Sequence, residues 1–197
     1  GTLPPVTPDD KRPVTEDSKV LVVYFSMPDS KDNSSVVIDG ETLGNTQYMA
    51  YVIAENTGAD IFRIEPEVPY TTDHDALVEY AQQEKNDNAR PAIKDSIENF
   101  DEYNTVFVGY PNWWGTVPMA VKTFLDANKD KIGEIYLISC PALWESSMKY
   151  VKEFCTPLGL TVNDNDFHCK GEFLRFHKGK PDANDIAACA AWAKKTF

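Results

Sequence analysis

The run VLVVYFSMPDSKDNSSVVIDGETLGNTQYMAYVIAENTGAD, Val20 to Asp60, decides the architecture. Its opening, Val20–Phe25, is apolar without a break, which suits a strand buried on both faces of a sheet better than one with a face in water. After Ser26 the chain turns polar. Structure resumes at Gly44-Asn45-Thr46, the head of a pattern in which Met49, Val52 and Ile53 share one helical face. Gly58 follows, a residue suited to the left-handed stop of a helix. A buried strand followed by an amphipathic helix is half of a parallel crossover unit.

The same alternation continues along the chain. Ile61–Ile64, Thr105–Tyr110 and Glu134–Ser139 are short apolar runs, and a weaker one covers Thr161–Phe173. Between them, helical spacing places Leu77, Tyr80 and Ala81 on one face after His74, and Val121, Phe124 and Leu125 on another after Pro118. Met148, Val151, Cys155 and Leu158 predict a fourth helix, followed by Gly159. Ile186, Cys189, Ala190 and Ala193 predict a fifth, with Asp182 placed to cap it. Five strands alternating with five helices predict an α/β fold with right-handed crossovers, a three-layer, doubly wound, five-stranded parallel sheet.

Bulk properties bound the function. At 197 residues, 42% apolar and 12% aromatic, the chain can fill one core, and residues 19–197 read as a single domain. A formal net charge of −12 disfavours nucleic acid or an anionic membrane as partner, since both call for a basic face. No stretch approaches the roughly 18–20 apolar residues of a membrane span. Residues 1–18, rich in Pro, Thr and Asp, read as an extended or disordered leader. Such a leader suits an exported, membrane-tethered protein, and a cytoplasmic location is the alternative. Cys140, Cys155, Cys169 and Cys189 have neither zinc-site nor C-x-x-C spacing, so they read as buried thiols, with one disulfide open to an exported chain.

In an open parallel sheet ligands sit beyond the carboxyl ends of the strands. Three segments end there. At the first, Gly44 allows close approach, and the free amides at the head of a helix favour an anion, with Ser26, Asn45 and Thr46 as neutral donors. Ordinary capping by Asn45 or Thr46 explains the same residues with nothing bound. The second, GYPNWWGTVP, puts two adjacent tryptophans in a loop, an aromatic wall for a flat ligand. We expect one of them to be structural and the other functional. Gly115 offers a peptide that can turn over at small cost. The third is SCPALWESS.

Taken together, VLVVYFS…LGNTQYMAYVIAENTGADIFRIEP, PYTTDHDALVEYAQQEKNDNARPAI and FDEYNTVFVGYPNWWGTVPMAVKTFLD resemble the flavodoxin superfamily. More narrowly, they resemble its bacterial flavodoxin-like branch, in which Tyr-Phe-Ser, Gly-Asn-Thr and Gly-Tyr-Pro-x-Trp-Trp recur in this order. The resemblance implies strand order 2-1-3-4-5 and flavin mononucleotide (FMN) held without a covalent bond. Ser26, Gly44, Asn45 and Thr46, with the amides of Thr42 and Leu43, would form the phosphate loop. Pro111, Asn112, Trp113, Trp114, Gly115 and Thr116 would line the isoalloxazine ring.

The chain departs from the branch in two places. Residues 27–43 are an insertion between the serine and the glycine of the phosphate loop, tolerable because each doubling of loop length costs only about 0.6 kcal/mol. The loop after the fourth strand is Cys-Pro-Ala-Leu-Trp rather than a Thr-His-Gly-Gly-Ser-like sequence. Cys140, Pro141, Leu143 and Trp144 are therefore the candidates on the far side of the ring.

The function implied is electron transfer through FMN to a redox partner protein or small acceptor. Two alternatives stay open: an FMN-dependent NAD(P)H:quinone-type reductase, and a binding module that has kept the fold and lost the flavin. No G-x-G-x-x-G marks a nicotinamide site and no G-x-S-x-G marks a hydrolase. A receiver domain would want carboxylates where this chain has Tyr-Phe-Ser-Met, and His74, His168 and His177 read as surface histidines. No residue is assigned a catalytic role and no metal is expected.

Overall fold

The structure is a computed structural model, which describes residues 20–27, 35–97, 103, 105–111, 113–114, 116–130, 134–139, 153–158, 161–162 and 167–168. The expected helix around Ile186 and the 1–18 leader lie outside them. Of the expected fourth helix, residues 153–155 are α-helical and Thr156–Leu158 form a 3-10 turn.

Strands β1 (Val20–Tyr24), β2 (Ser35–Ile38) and β3 (Glu41–Gly44) lead into α1 (Asn45–Thr57). Then come β4 (Asp60–Arg63), α2 (His74–Asn86), β5 (Thr105–Tyr110), α3 (Met119–Asn128), β6 (Glu134–Ser139) and the short β7 (Thr161–Val162) and β8 (Phe167–His168). The main sheet runs β4-β1-β5-β6-β7, with β8 also on β6 and every pairing parallel. β7 pairs with Glu134 and Ile135 at the start of β6, and β8 with Ile138 and Ser139 at its end. They are two pieces of one interrupted fifth strand. With that, the strand order is the expected 2-1-3-4-5.

Period-two alternation divides β1 between two layers. Leu21, Val23 and Phe25 join a core with Val106, Val108, Val121, Phe124, Leu125 and Cys155. Truncating a large member such as Phe124 would cost about 3–5 kcal/mol. On the other face α1 packs on β1, β4 and β5. Gly58 ends α1 at φ +69, as its position in the sequence predicted.

The insertion contributes an element of its own. β2 and β3 form an antiparallel hairpin, Ile38 opposite Glu41, closed by Asp39 (φ +50) and Gly40 (φ +81). Positive φ at both central residues matches the twist of the flanking strands, which is why Asp-Gly is favoured there. The hairpin lies against α1. A helix between the sheet and this hairpin has little face left for water, and Asn45 to Ala54 are all buried.

Candidate functional site

The carboxyl end of β1 is tied to the start of α1 through Tyr24, whose hydroxyl accepts from Gln47. Ser26, Leu43, Asn45 and Thr46 are all buried. Gly44 is the N-cap, extended at φ −62 and ψ 151, and gives the helix no side-chain cap; the first turn carries no acidic residue. Thr46 approaches the sheet where Gly109 leaves room: a Cβ on Gly109 would lie 3.3 Å from Thr46 Cγ2 and 3.4 Å from Tyr24 Cβ. Thr42 and Leu43 belong to β3, opposite Val37 and Val36, so they stand in a ladder rather than a loop.

Gln47 was not foreseen. Its Oε1 accepts the Gly44 N–H at 3.0 Å, and its Nε2 donates to the hydroxyls of Tyr24 (3.3 Å) and Tyr51 (3.1 Å). One orphan amide of the helix start is thereby met from within, while the amides that follow have no acceptor inside the helix. The signal was present: a Gln three places after an N-cap is half of a capping box.

Arg63 is the second residue missed. In the β1–β4 ladder it stands beside Tyr24. Its guanidinium carbon is 6.0 Å from the centroid of the Tyr24 ring, and Nη2 donates to the Ser26 carbonyl at 3.4 Å. Glu65 faces it at 3.6 Å. Arg63 comes from another strand, outside the segment from which the neutral donors Ser26, Asn45 and Thr46 were taken.

The loop after β5 sorts its two tryptophans. Trp113 N–H donates to the Thr116 carbonyl at 2.9 Å and Thr116 N–H donates to the Trp113 carbonyl at 3.2 Å, closing a tight turn. Trp114 occupies it at φ +54, a conformation costly for a bulky residue. The Trp113 indole turns inward, edge-on to Phe25 at 5.1 Å and to Tyr70 at 5.5 Å. Trp114 is 42% exposed and tied to α2: its indole N–H donates to the Val78 carbonyl at 2.9 Å, and its own carbonyl accepts from Lys85 Nζ at 2.7 Å. Pro111 is half-buried and Thr116 buried. Asn112, Gly115, Cys140, Pro141, Leu143 and Trp144 lie outside the described residues.

Behind Trp113 the Tyr70 hydroxyl donates to Glu84 Oε1 at 2.7 Å, and both residues are buried. Burial, with the Glu84 contact second, holds the Tyr70 phenol far above its ordinary range. Burial likewise raises the Glu84 carboxyl, and the Tyr70 hydrogen bond opposes it. A cleft of about 440 Å³ opens beside this pair, between α2 and the segments around Glu67 and Pro91, and shares no residue with the β1–α1 junction. Burial also pushes the Tyr48 phenol up to about 12, with Glu55 adding to it. Both phenols stay protonated near neutrality.

A doubly wound parallel sheet of strand order 2-1-3-4-5 is the flavodoxin type of α/β architecture. A family model described as flavodoxin matches residues 19–154, and the chain belongs to that family. Among solved structures, a candidate flavoprotein from Bacteroides eggerthii DSM 20697 is 27% identical at TM-score 0.59, with 87% of this chain and 95% of that one covered. A flavoprotein from Lactobacillus acidophilus NCFM in complex with FMN shares the fold at 23% identity and TM-score 0.58, covering 73% and 89%. No curated protein matches. Among the described residues, no helix is long and apolar enough to cross a membrane, and no cluster of three or more His, Cys, Asp or Glu could hold a metal ion.

Proposed function

We propose that this chain binds FMN without a covalent bond, at the carboxyl ends of β1, β5 and β6, and passes electrons between a donor and an acceptor. The observation that carries this reading is the start of α1: a glycine N-cap without a side-chain acceptor, no acid in the first turn, and Thr46 buried within that turn, with Ser26 buried just past the end of β1. That donor set fits a phosphate. In this reading Ser26, Gly44, Asn45 and Thr46 hold the phosphate, with Thr42 and Leu43 at the margin. The segment from Pro111 to Thr116, and Cys140, Pro141, Leu143 and Trp144 after β6, border the ring. Trp113 supports the loop from beneath, and Trp114 is the aromatic surface left to the ligand.

Bound FMN would supply the redox chemistry, and the protein would bind it, orient it and set its potential. No side chain is assigned a proton-transfer role. A second reading, an interaction module without flavin, is favoured by one observation: the Gly44 N–H is already taken by Gln47. Titration of the purified protein with FMN, followed by flavin fluorescence, separates the two. Quenching that saturates at one equivalent supports the carrier, and full fluorescence throughout supports the module. A flavin-loaded protein that also oxidised NAD(P)H with a quinone present would be the reductase.

A further inference from the structure

We propose that the cleft between α2 and the segments around Glu67 and Pro91 binds a flat organic cation, an amidinium or guanidinium carried on a ring, with the Glu84 carboxylate as its charge partner and the Tyr80 ring as its wall. The cleft shares no residue with the β1–α1 junction, so this site goes beyond the flavin reading and does not depend on it. Glu84 is only 7% exposed, yet it lines the cleft. The Tyr70 hydroxyl donates to its Oε1 at 2.7 Å, and among the described residues nothing donates to Oε2. An ionised carboxylate held by one neutral donor is costly to bury, and a cation reaching Oε2 from the cleft would offset that cost.

The surroundings are negative and aromatic. Glu84 lies in the last turn of α2 and Asp87 caps it, where the helix end carries a partial negative charge, and Glu67 adds a third carboxylate to the lining. Lys85, in the same turn, donates to the Trp114 carbonyl at 2.7 Å. Arg90, which also lines the cleft, pairs with Asp126 and holds its guanidinium carbon 5.4 Å from the centroid of the Phe154 ring. A metal ion fits poorly, because no cluster of three or more His, Cys, Asp or Glu among the described residues could hold one. The Tyr80 ring, 53% exposed and 5.7 Å from that of Tyr70 at an interplanar angle of 72°, instead presents a face to a delocalised cation. A volume of about 440 Å³ suits a small molecule.

The test titrates the whole chain at pH 8 and low salt with benzamidine, which carries an amidinium on a ring, and with its neutral isostere benzamide, read by calorimetry and thermal melting. Benzamidine should bind and raise the melting temperature, and benzamide should do neither. Glu84→Gln keeps an acceptor for Tyr70 and should weaken benzamidine by about tenfold or more. Tyr80→Leu, at an exposed position, should weaken it by about threefold. Glu79→Gln removes the same charge from α2 outside the cleft and should leave the affinity within about twofold. Absence of benzamidine binding, equal binding of benzamide, an affinity unmoved by Glu84→Gln and Tyr80→Leu, or displacement of benzamidine by FMN would overturn the proposal. Tighter binding of capped arginine would also overturn it and give the cleft to a side chain of a partner protein, and tighter binding of magnesium ion would give it to a metal.

Discussion

Trp113→Ala separates a tryptophan that holds the loop from one that stacks on a ligand. The indole packs against the core, edge-on to Phe25 at 5.1 Å and Tyr70 at 5.5 Å. Truncating a fully buried tryptophan costs about 3–5 kcal/mol. Trp113 is only partly buried, which sets its share near about 3 kcal/mol, and its two edge-to-face pairs account for about 1–3 kcal/mol of that. With a urea slope of about 2 kcal/mol/M, the unfolding midpoint should fall by about 1.5 M. Trp113→Phe keeps an aromatic edge in the same place and should lose less than about half as much. The assay is urea unfolding of the flavin-free proteins followed by far-ultraviolet circular dichroism, with FMN titration in parallel. A midpoint shift below about 0.5 M, with flavin affinity lost, would refute the packing argument and make Trp113 the stacking residue.

Glu84 gives a pH test. Burial raises its carboxyl, so the folded chain holds the proton more tightly than the unfolded one, and stability falls as pH rises from the ordinary value of 4.5 through the raised one. Glu84→Gln, neutral throughout, should therefore gain melting temperature on the wild type at pH 8 relative to pH 4; a constant or inverted gap counts against it. Cys155 is buried, and burial pushes its thiol up to about 12 although Lys122 pulls the other way. Alkylation at pH 8 followed by mass spectrometry should leave Cys155 unlabelled until the protein is unfolded, and labelling at the rate of an open thiol would contradict its placement.

The sheet could be read from the sequence because each strand is a short apolar run and each helix carries its own period, so order and type follow from local pattern. Gly44, Asn45 and Thr46 stood out as candidates because they are adjacent in the chain at the head of a helical pattern, whereas Ser26 was joined to them across residues 27–43 only through the family resemblance. What escaped depends on contacts between distant residues or on a single dihedral angle. Arg63 reaches Ser26 only because β4 pairs beside β1, a partnership 37 residues apart that no local pattern reports. The two tryptophans look alike in sequence, and it is the positive φ of Trp114 that sends one indole inward and the other onto α2. Tyr80, expected on the buried face of α2, is 53% exposed and borders the cleft, with its ring 5.7 Å from that of Tyr70. The hairpin was within reach: Asp39-Gly40 between Val-Val-Ile and Glu-Thr-Leu is a strong turn signal within residues 27–43 that was not used.

The hairpin also bears on how the proposed phosphate site can accommodate an insertion between Ser26 and Gly44. Closing a longer loop costs little entropy, but its backbone polar groups still need partners. β2 and β3 supply them to each other and bring the chain back at Gly44, where helix α1 begins. From there the position of the helix start is set by the sheet. Gly109 lets Thr46 come close to β5, and Gln47 ties the N-cap amide to Tyr24 on β1. The inserted residues can therefore change what covers α1 on its outer side while the geometry beside Ser26 is fixed from within. A shortened hairpin that joined β1 to Gly44 directly should keep the helix start in place and alter only the surface around it.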